Sequence, residues 1–196
     1  MDKERLKEIL ESHGKWLRDK GGRMANLRMA DLSWADLRGA DLRRADLRWA
    51  NMYGVKLRGA DLRGANLHGA KIFDADLRGA DLHEANLFDA DLRGADLRGA
   101  DLRDTDIYGS NLHGANMSER VVQVGPIGSR RGYMIFWVDR DIVQCGCWND
   151  YVGGSLEDFK RRVDKTYPAD KKDTLQYRNE YLAAIAMFER LRDDAR

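Results

Sequence analysis

The sequence predicts a mainly β protein organised around a solenoid, and three observations predict it. A five-residue unit of the form Ala-Asp/Asn-Leu-Arg-Gly repeats nineteen times without a break from Ala25 to Glu119. The period of five fits an extended coil and not a helix. The pattern also stops sharply on both sides, which divides the chain into residues 1–24, 25–119 and 120–196. A repeat this strict decides architecture before any other signal does.

The unit is nearly pure at Ala35 to Gly39, Ala60 to Gly64, Ala90 to Gly94 and Ala95 to Gly99. Its centre, from Leu27 through Leu32 and Leu37 to Met117, is always Leu, Ile or Met. Two residues earlier stands Ala in sixteen units, the exceptions being Val55, Thr105 and Ser110. An α-helix turns about 100° per residue, so an apolar period of five would smear over every face. An extended backbone instead sends residues two apart to one side. Ala and the centre then face inward, while the Asp/Asn and Arg positions face outward. Gly fills the last position in ten units, where a bend favours it, so each unit is one short side of a coil.

Residues 1–24 read as a cap. Leu6, Ile9, Leu10, Trp16 and Leu17 make one apolar stripe on a helix whose other faces carry Lys3, Glu4, Lys7, Glu8 and Glu11, and Gly21-Gly22 is expected to stop it. A solenoid end exposes core and unpaired edges, and a short amphipathic helix beside it is suited to cover them.

The repeat resembles the pentapeptide-repeat family. The resemblance covers about half of the chain and implies a right-handed quadrilateral β-helix with four units per coil. It further implies fewer than five full coils stacked about 4.8 Å apart, a rod of roughly 23 Å.

Four units per coil sort the outward residues into columns. One face stacks Arg38, Arg58, Arg78 and Arg98 beside Asp36, Lys56, Asp76 and Asp96. The next has Asp41, Asp61, Asp81 and Asp101 beside Arg43, Arg63, His83 and Arg103. These are ladders of alternating sign, each exposed pair contributing about 0 to 1 kcal/mol. The other two faces differ. One holds Arg28, Arg48, His68, Phe88 and Tyr108 with Trp49 beside it, and its neighbour holds Ser33, Tyr53, Phe73, Arg93 and His113 with Trp34 beside it. Outward aromatics on a rod imply something packed against them. Residues 120–196, the N-terminal helix, a second copy and a foreign protein are the alternatives left open.

Residues 120–196 predict a small α+β domain with a three-stranded sheet and two helices. Val121 to Val124, Tyr133 to Val138 and Ile142 to Cys147 are the strands, separated by Gly125-Pro126, Ser129 to Gly132 and Asp139-Arg140. Ser155 caps a helix bearing Leu156, Phe159 and Val163, which Tyr167-Pro168 ends. A second helix runs from about Thr174 to Arg192. This segment is similar to tails attached to repeat proteins in phages and prophages.

No chemistry of catalysis is apparent. Cys145 and Cys147 lack two further zinc ligands nearby. His13, His68, His83 and His113 lie on a helix and on different faces of the coil. The Asp columns have Arg neighbours that keep them ionised, and a convex rod offers no pocket. No cofactor and no metal are expected. Charge is evenly spread: residues 1–24 carry +2, the repeats −3 and the remainder +2. That excludes the strong single-sign field of a dedicated nucleic-acid or membrane binder. Two cysteines and the absence of a long apolar run predict a soluble, cytoplasmic chain.

The expected function is a non-enzymatic protein-binding module. Its predicted contact residues are Trp34, Trp49, Tyr53, Phe73, Phe88 and Tyr108. The family resemblance includes inhibitors that imitate duplex DNA and block a type II topoisomerase, but those depend on a strongly acidic surface. Arg in ten units departs from that pattern. With the phage-like tail, an inhibitor of a host nucleic-acid enzyme, such as a defence nuclease or topoisomerase, is the expectation. Direct nucleic-acid binding by the ladder Arg38, Arg58, Arg78 and Arg98 is an alternative, as is a scaffold or homodimer joined through the aromatic faces.

Overall fold

The alternation of inward and outward residues produces a coil because each unit pairs with the unit twenty residues on. In the computed structural model, which describes residues 1–127, 132–145 and 154–194, parallel bridges join Asn26 to Asp46, Asp31 to Asn51, Asp36 to Lys56 and so on to Asp96 with Asn116. One turn of coil is therefore four units. The chain divides into two compact units, Met1–Ser118 and Glu119–Arg196.

Within a repeat the backbone is almost fully paired. Leu27 N–H donates to the carbonyl of Asp46 and Met29 N–H to that of Arg48. Asp46 N–H returns a bond to Ala25, and Ala30 N–H closes a turn onto Leu27. The same four bonds recur down the coil. The Asp/Asn position has a second task that alternation does not reveal: its Oδ1 accepts the N–H of the residue two further on, as Asp46 does from Arg48 and Asn86 from Phe88. This local turn is why short side chains with an acceptor dominate the position, where the exceptions are Lys56 and Lys71.

The fifth residue of each unit is the corner. Its φ is positive in every unit from Met29 to Gly114. Glycine is favoured there, yet Met29, Trp34, Arg44, Trp49, Asp74, Glu84, Asp89 and Asp104 adopt the left-handed conformation too. Inside, the centres from Leu27 to Leu97 are at most 2% exposed, and the Ala positions of the middle coils are closed as well. The two polar exceptions satisfy themselves: Thr105 Oγ1 donates to Leu82 O at 2.7 Å and Ser110 Oγ to Ile107 O at 2.6 Å.

Helix α1, Lys3–Trp16, begins at the Asp2 cap, whose side chain accepts from Arg5 N–H. It stops before Gly21-Gly22, because Leu17 already closes it and Asp19 turns with positive φ. The chain then folds back, and Gly22 lies so close to Ser12 O that a Cβ there would meet it at 2.2 Å. The helix lies beside the first coil, held by a few specific bonds. His13 is fully buried, and its Nδ1 accepts from Ala25 N–H at 3.0 Å; Arg23 N–H donates to Ser12 Oγ, and the amino terminus to Asp31 O.

In the second unit the sheet has four strands in the order β1-β2-β3-β4, all antiparallel: β1 Val121–Ile127, β2 Gly132–Trp137, β3 Ile142–Cys145 and β4 Gly154–Ser155. That corrects the three-stranded expectation in two ways. Gly125-Pro126 does not end β1, because β1 is an edge strand and the register shifts between Val124 and Ile127, where a proline needs no inward bond. The short β4 has no pattern that a two-residue strand could show. Cys147 and the turn residues before Gly132 lie outside the described residues. Helix α2, Leu156–Thr166, is capped by Ser155, and α3 spans Leu175–Asp193. Met134, Phe136, Val143, Leu156, Phe159, Val163, Tyr181, Ile185 and Phe188 form the core, with Phe136 stacked on Phe188 at 4.6 Å. Glu119, the last residue of the repeat pattern, falls in this second unit and pairs with Arg140.

Candidate functional site

The aromatic faces of the coil are two continuous ring stacks. In the first, Trp34 meets Tyr53 edge-on at 4.8 Å, Tyr53 stacks on Phe73 at 4.5 Å, and the Arg93 guanidinium lies 5.8 Å from the Phe73 centroid. In the second, Trp49 meets His68 at 4.7 Å, His68 lies 5.0 Å from Phe88, and Phe88 meets Tyr108 at 4.9 Å. These separations follow the coil spacing, so side chains at one outward position are placed one coil apart at ring-contact distance. Each pair is worth about 0.5–1.5 kcal/mol beyond the area it buries.

This stacking modifies the expectation that outward rings need an external cover. Tyr53, Phe73, Phe88 and Tyr108 are half-buried against their own column. The two indoles are not: Trp34 is 63% exposed and Trp49 49%. They occupy corners rather than the column position, and each leans forward over the glycine corner of the next coil. A Cβ at Gly54 would lie 2.6 Å from Trp34, and one at Gly69 2.3 Å from Trp49. With Met29, 73% exposed, they put the largest exposed apolar side chains of the coil at its first turns.

The charged faces pair within each unit. Arg38, Arg78 and Arg98 each donate through Nε and Nη2 to both oxygens of Asp36, Asp76 and Asp96 at 2.6–2.9 Å. Those side-chain bonds hold Asp36 and Asp96 down at about 2. Links between coils are longer: Arg43 to Asp61 at 3.4 Å, Arg63 to Asp81 at 3.4 Å and Arg78 to Asp96 at 3.6 Å. The four arginines of the predicted ladder do share one face, and a shallow concavity of about 360 Å³ is lined by Arg58, Arg78, Gly79 and Arg98. Arg58 differs from the others, because Lys56 replaces its aspartate and no carboxylate among the described residues pairs with it.

A further cleft of about 1090 Å³ lies between α1 and the first coil, lined by Leu6, Leu10 and Gly14 on one side and Leu32, Trp34 and Leu37 on the other. Among the described residues no group of His, Cys, Asp and Glu is placed to hold a metal ion, and no helix is long and apolar enough to cross a membrane.

Sequence reasoning missed His13 as an anchor. Burial pushes its imidazole below the ordinary histidine range, against the opposing pull of Asp41, so it stays neutral and free to accept from Ala25. The signal was present: His13 follows Leu6 and Leu10 at helical spacing on the same stripe.

A coil of four short sides, closed by parallel pairing at a twenty-residue interval, defines a pentapeptide solenoid. Residues 25–119 belong to the pentapeptide-repeat family: they match Pentapeptide repeats in eight copies, over residues 25–54, 50–87 and 85–119. Among solved structures, a pentapeptide repeat protein of the Arabidopsis thaliana thylakoid lumen is 36% identical, with 46% of this chain and 66% of that one covered and a TM-score of 0.39. The pentapeptide repeat protein Rfr23 of the cyanobacterium Cyanothece 51142 is 38% identical over 47% and 60%, at 0.41. A trypsin-treated form of QnrB1, a plasmid-mediated fluoroquinolone resistance protein, is 26% identical over 43% and 59%, at 0.28. The chain spans less than two thirds of each of these proteins. No curated protein matches it.

Proposed function

We propose that this chain is a non-enzymatic protein-binding module whose right-handed quadrilateral coil presents the two aromatic columns to a macromolecular partner. The observation that carries the reading is the pair of exposed indoles, Trp34 and Trp49, each held over a glycine corner at the end of a ring stack. Tryptophan is among the residue types enriched as binding anchors, and here its position is fixed in advance by packing, which lowers the cost of ordering on binding. Tyr53, Phe73, Phe88 and Tyr108 supply the remainder of the surface as ring edges.

The finer reading is a phage- or mobile-element-type inhibitor that acts in the cytoplasm by covering a host nucleic-acid enzyme, a defence nuclease or topoisomerase. What supports it is the family to which the repeat belongs and the exposed aromatic strip along the coil. The test is capture on the immobilised chain from host lysate, followed by reconstitution with the purified captured protein. A stoichiometric complex that is lost when Trp34 and Trp49 are changed to Ser, with the fold retained, supports the reading. The same background with wild type and variant removes it.

Direct nucleic-acid binding by Arg38, Arg58, Arg78 and Arg98 is the second reading. Three of the four arginines are already held by their own aspartates, so the ladder has little uncompensated charge with which to follow a phosphate backbone. Binding of DNA that is absent at low salt excludes it.

A further inference from the structure

The pairing that disqualifies the arginine face as a polyanion track leaves one place on it uncompensated, and we propose that this place, centred on Arg58, whose unit carries Lys56 where the others carry aspartate, is a binding site for a phosphate monoester. Along this face the outward charges are five cations against three carboxylates, a net of +2 within a repeat segment that is −3 overall. The surplus is not spread evenly. Asp36, Asp76 and Asp96 neutralise the arginines of their own units, whereas in the second coil the aspartate is replaced by Lys56. Arg58 and Lys56 are therefore neighbours in the middle of the face, with Lys56 stacked between Asp36 and Asp76 of the adjoining coils. Arg58 has no carboxylate partner among the described residues, and its whole guanidinium fork is available.

Local shape agrees with the charge. Arg58, Arg78, Gly79 and Arg98 line the concavity, and the corner beside this column is the one where Gly39, Gly59, Gly79 and Gly99 follow one another. At Gly59 and Gly79 nothing stands within 4 Å of where a Cβ would be, so the corner beside the arginine column is bare. Arg78 and Arg98 use Nε and Nη2 on their aspartates, which leaves Nη1 of each to donate outward.

The stacking interval of about 4.8 Å places neighbouring guanidinium groups close enough to share one tetrahedral anion. A monoester dianion matches the +2 surplus of the face, and its three terminal oxygens can accept from the Arg58 fork and the Nη1 groups of Arg78 and Arg98 in the concavity, while Lys56, which lines the cleft beside α1, adds its field from the neighbouring column. A phosphodiester carries one charge and offers two such oxygens. A single site also gives a polymer nothing to continue along.

The test is calorimetric titration of the full chain with inorganic phosphate at low ionic strength. Binding is expected to weaken as salt is raised. Arg58→Gln should weaken it about tenfold or more. Lys56→Asp should do the same by giving Arg58 the partner that every other arginine of the column has. Arg38→Gln, on the same column but already paired, should change affinity less than about twofold, the change expected of a surface charge at a distance. Melting temperatures of the variants show that each is folded; Lys56→Asp restores the rule of the repeat and guards against loss of fold in the Arg58 variant. Phosphoserine and a nucleoside 5′-monophosphate then distinguish the source: tighter binding of one than of inorganic phosphate identifies what the phosphate is attached to. No phosphate binding, binding unchanged in both Arg58→Gln and Lys56→Asp, or binding only of an oligonucleotide without a terminal phosphate each overturns the proposal.

Discussion

His13 Nδ1 accepts the backbone N–H of Ala25 at 3.0 Å, and this one bond joins the capping helix to the first residue of the repeat. It requires a neutral imidazole. In the unfolded chain the group titrates near about 6.5; in the fold, burial pushes it lower. A depressed value means that the unfolded state takes up the proton first, so the contribution is complete above about pH 6.5 and is lost as pH falls below it. His13→Asn keeps an acceptor at similar reach and removes the titration. The urea midpoint of the variant should vary less between pH 7 and 5 than that of the wild type, and parallel curves would refute the assignment. His13→Ala leaves a buried N–H unpaired and should cost about 1–3 kcal/mol.

The Trp34–Gly54 contact predicts an unequal response at glycines that share one backbone conformation. Gly39 and Gly54 both have positive φ, but Gly39 faces open space while a Cβ at Gly54 would strike the indole at 2.6 Å. Gly39→Ala should cost only the left-handed backbone penalty, about 1–2 kcal/mol. Gly54→Ala should cost that and a further ~1–3 kcal/mol for displacing the ring. In a Trp34→Ala background the excess should vanish, which a double-mutant cycle from urea unfolding measures directly. An equal cost at the two glycines would mean the ring moves aside freely.

Much of the coil was legible because its rule is strict. Inward Ala and Leu positions follow from the two-residue period of an extended chain, and the columns follow from four units per coil. The corners were harder to read. Nothing in alternation shows that Trp34 and Trp49 occupy left-handed positions and lean over the next coil, since only the turn geometry decides it. The aspartates were read as partners of arginine, whereas each also accepts a backbone N–H two residues on, a role that a charge count conceals. In the second unit the Ser155 cap was plain from spacing. The passage of β1 through Gly125-Pro126 was not, because only an edge position excuses a proline and edge position is a property of the finished sheet.

The aspartate–arginine pairs set an acid limit. Side-chain bonds from Arg38, Arg98 and Arg103 hold Asp36, Asp96 and Asp101 at about 2, against about 3.9 in an unfolded chain. Here too the unfolded state binds the proton first, so this stabilisation is present above about pH 4 and is lost as pH falls towards 2. Circular dichroism at low pH should show the repeat signal collapsing in that window. Arg98→Gln and Arg103→Gln together should move the midpoint to higher pH, and added salt should shrink the difference because the pairs are exposed. A midpoint unmoved by both changes would show that the pairs do not set the limit.

Stability and partner binding should separate along the aromatic columns. Phe73 touches Tyr53 on one side and Arg93 on the other, so Phe73→Ser breaks the stack at its middle. The cost should be about 1–3 kcal/mol from lost ring contacts and burial. Trp34 and Trp49 each have a ring neighbour on one side only and stay largely exposed. Changing both to Ser should cost less stability than Phe73→Ser alone, yet it removes the two anchors on which the proposed contact depends. Binding to a reconstituted partner should therefore fall by ~10-fold or more in the double Trp variant, as expected when binding anchors are truncated. Thermal unfolding and equilibrium binding on the same preparations check both halves. If the double Trp variant keeps full affinity while Phe73→Ser loses it in proportion to stability, the columns serve to hold the coil together and the partner binds elsewhere.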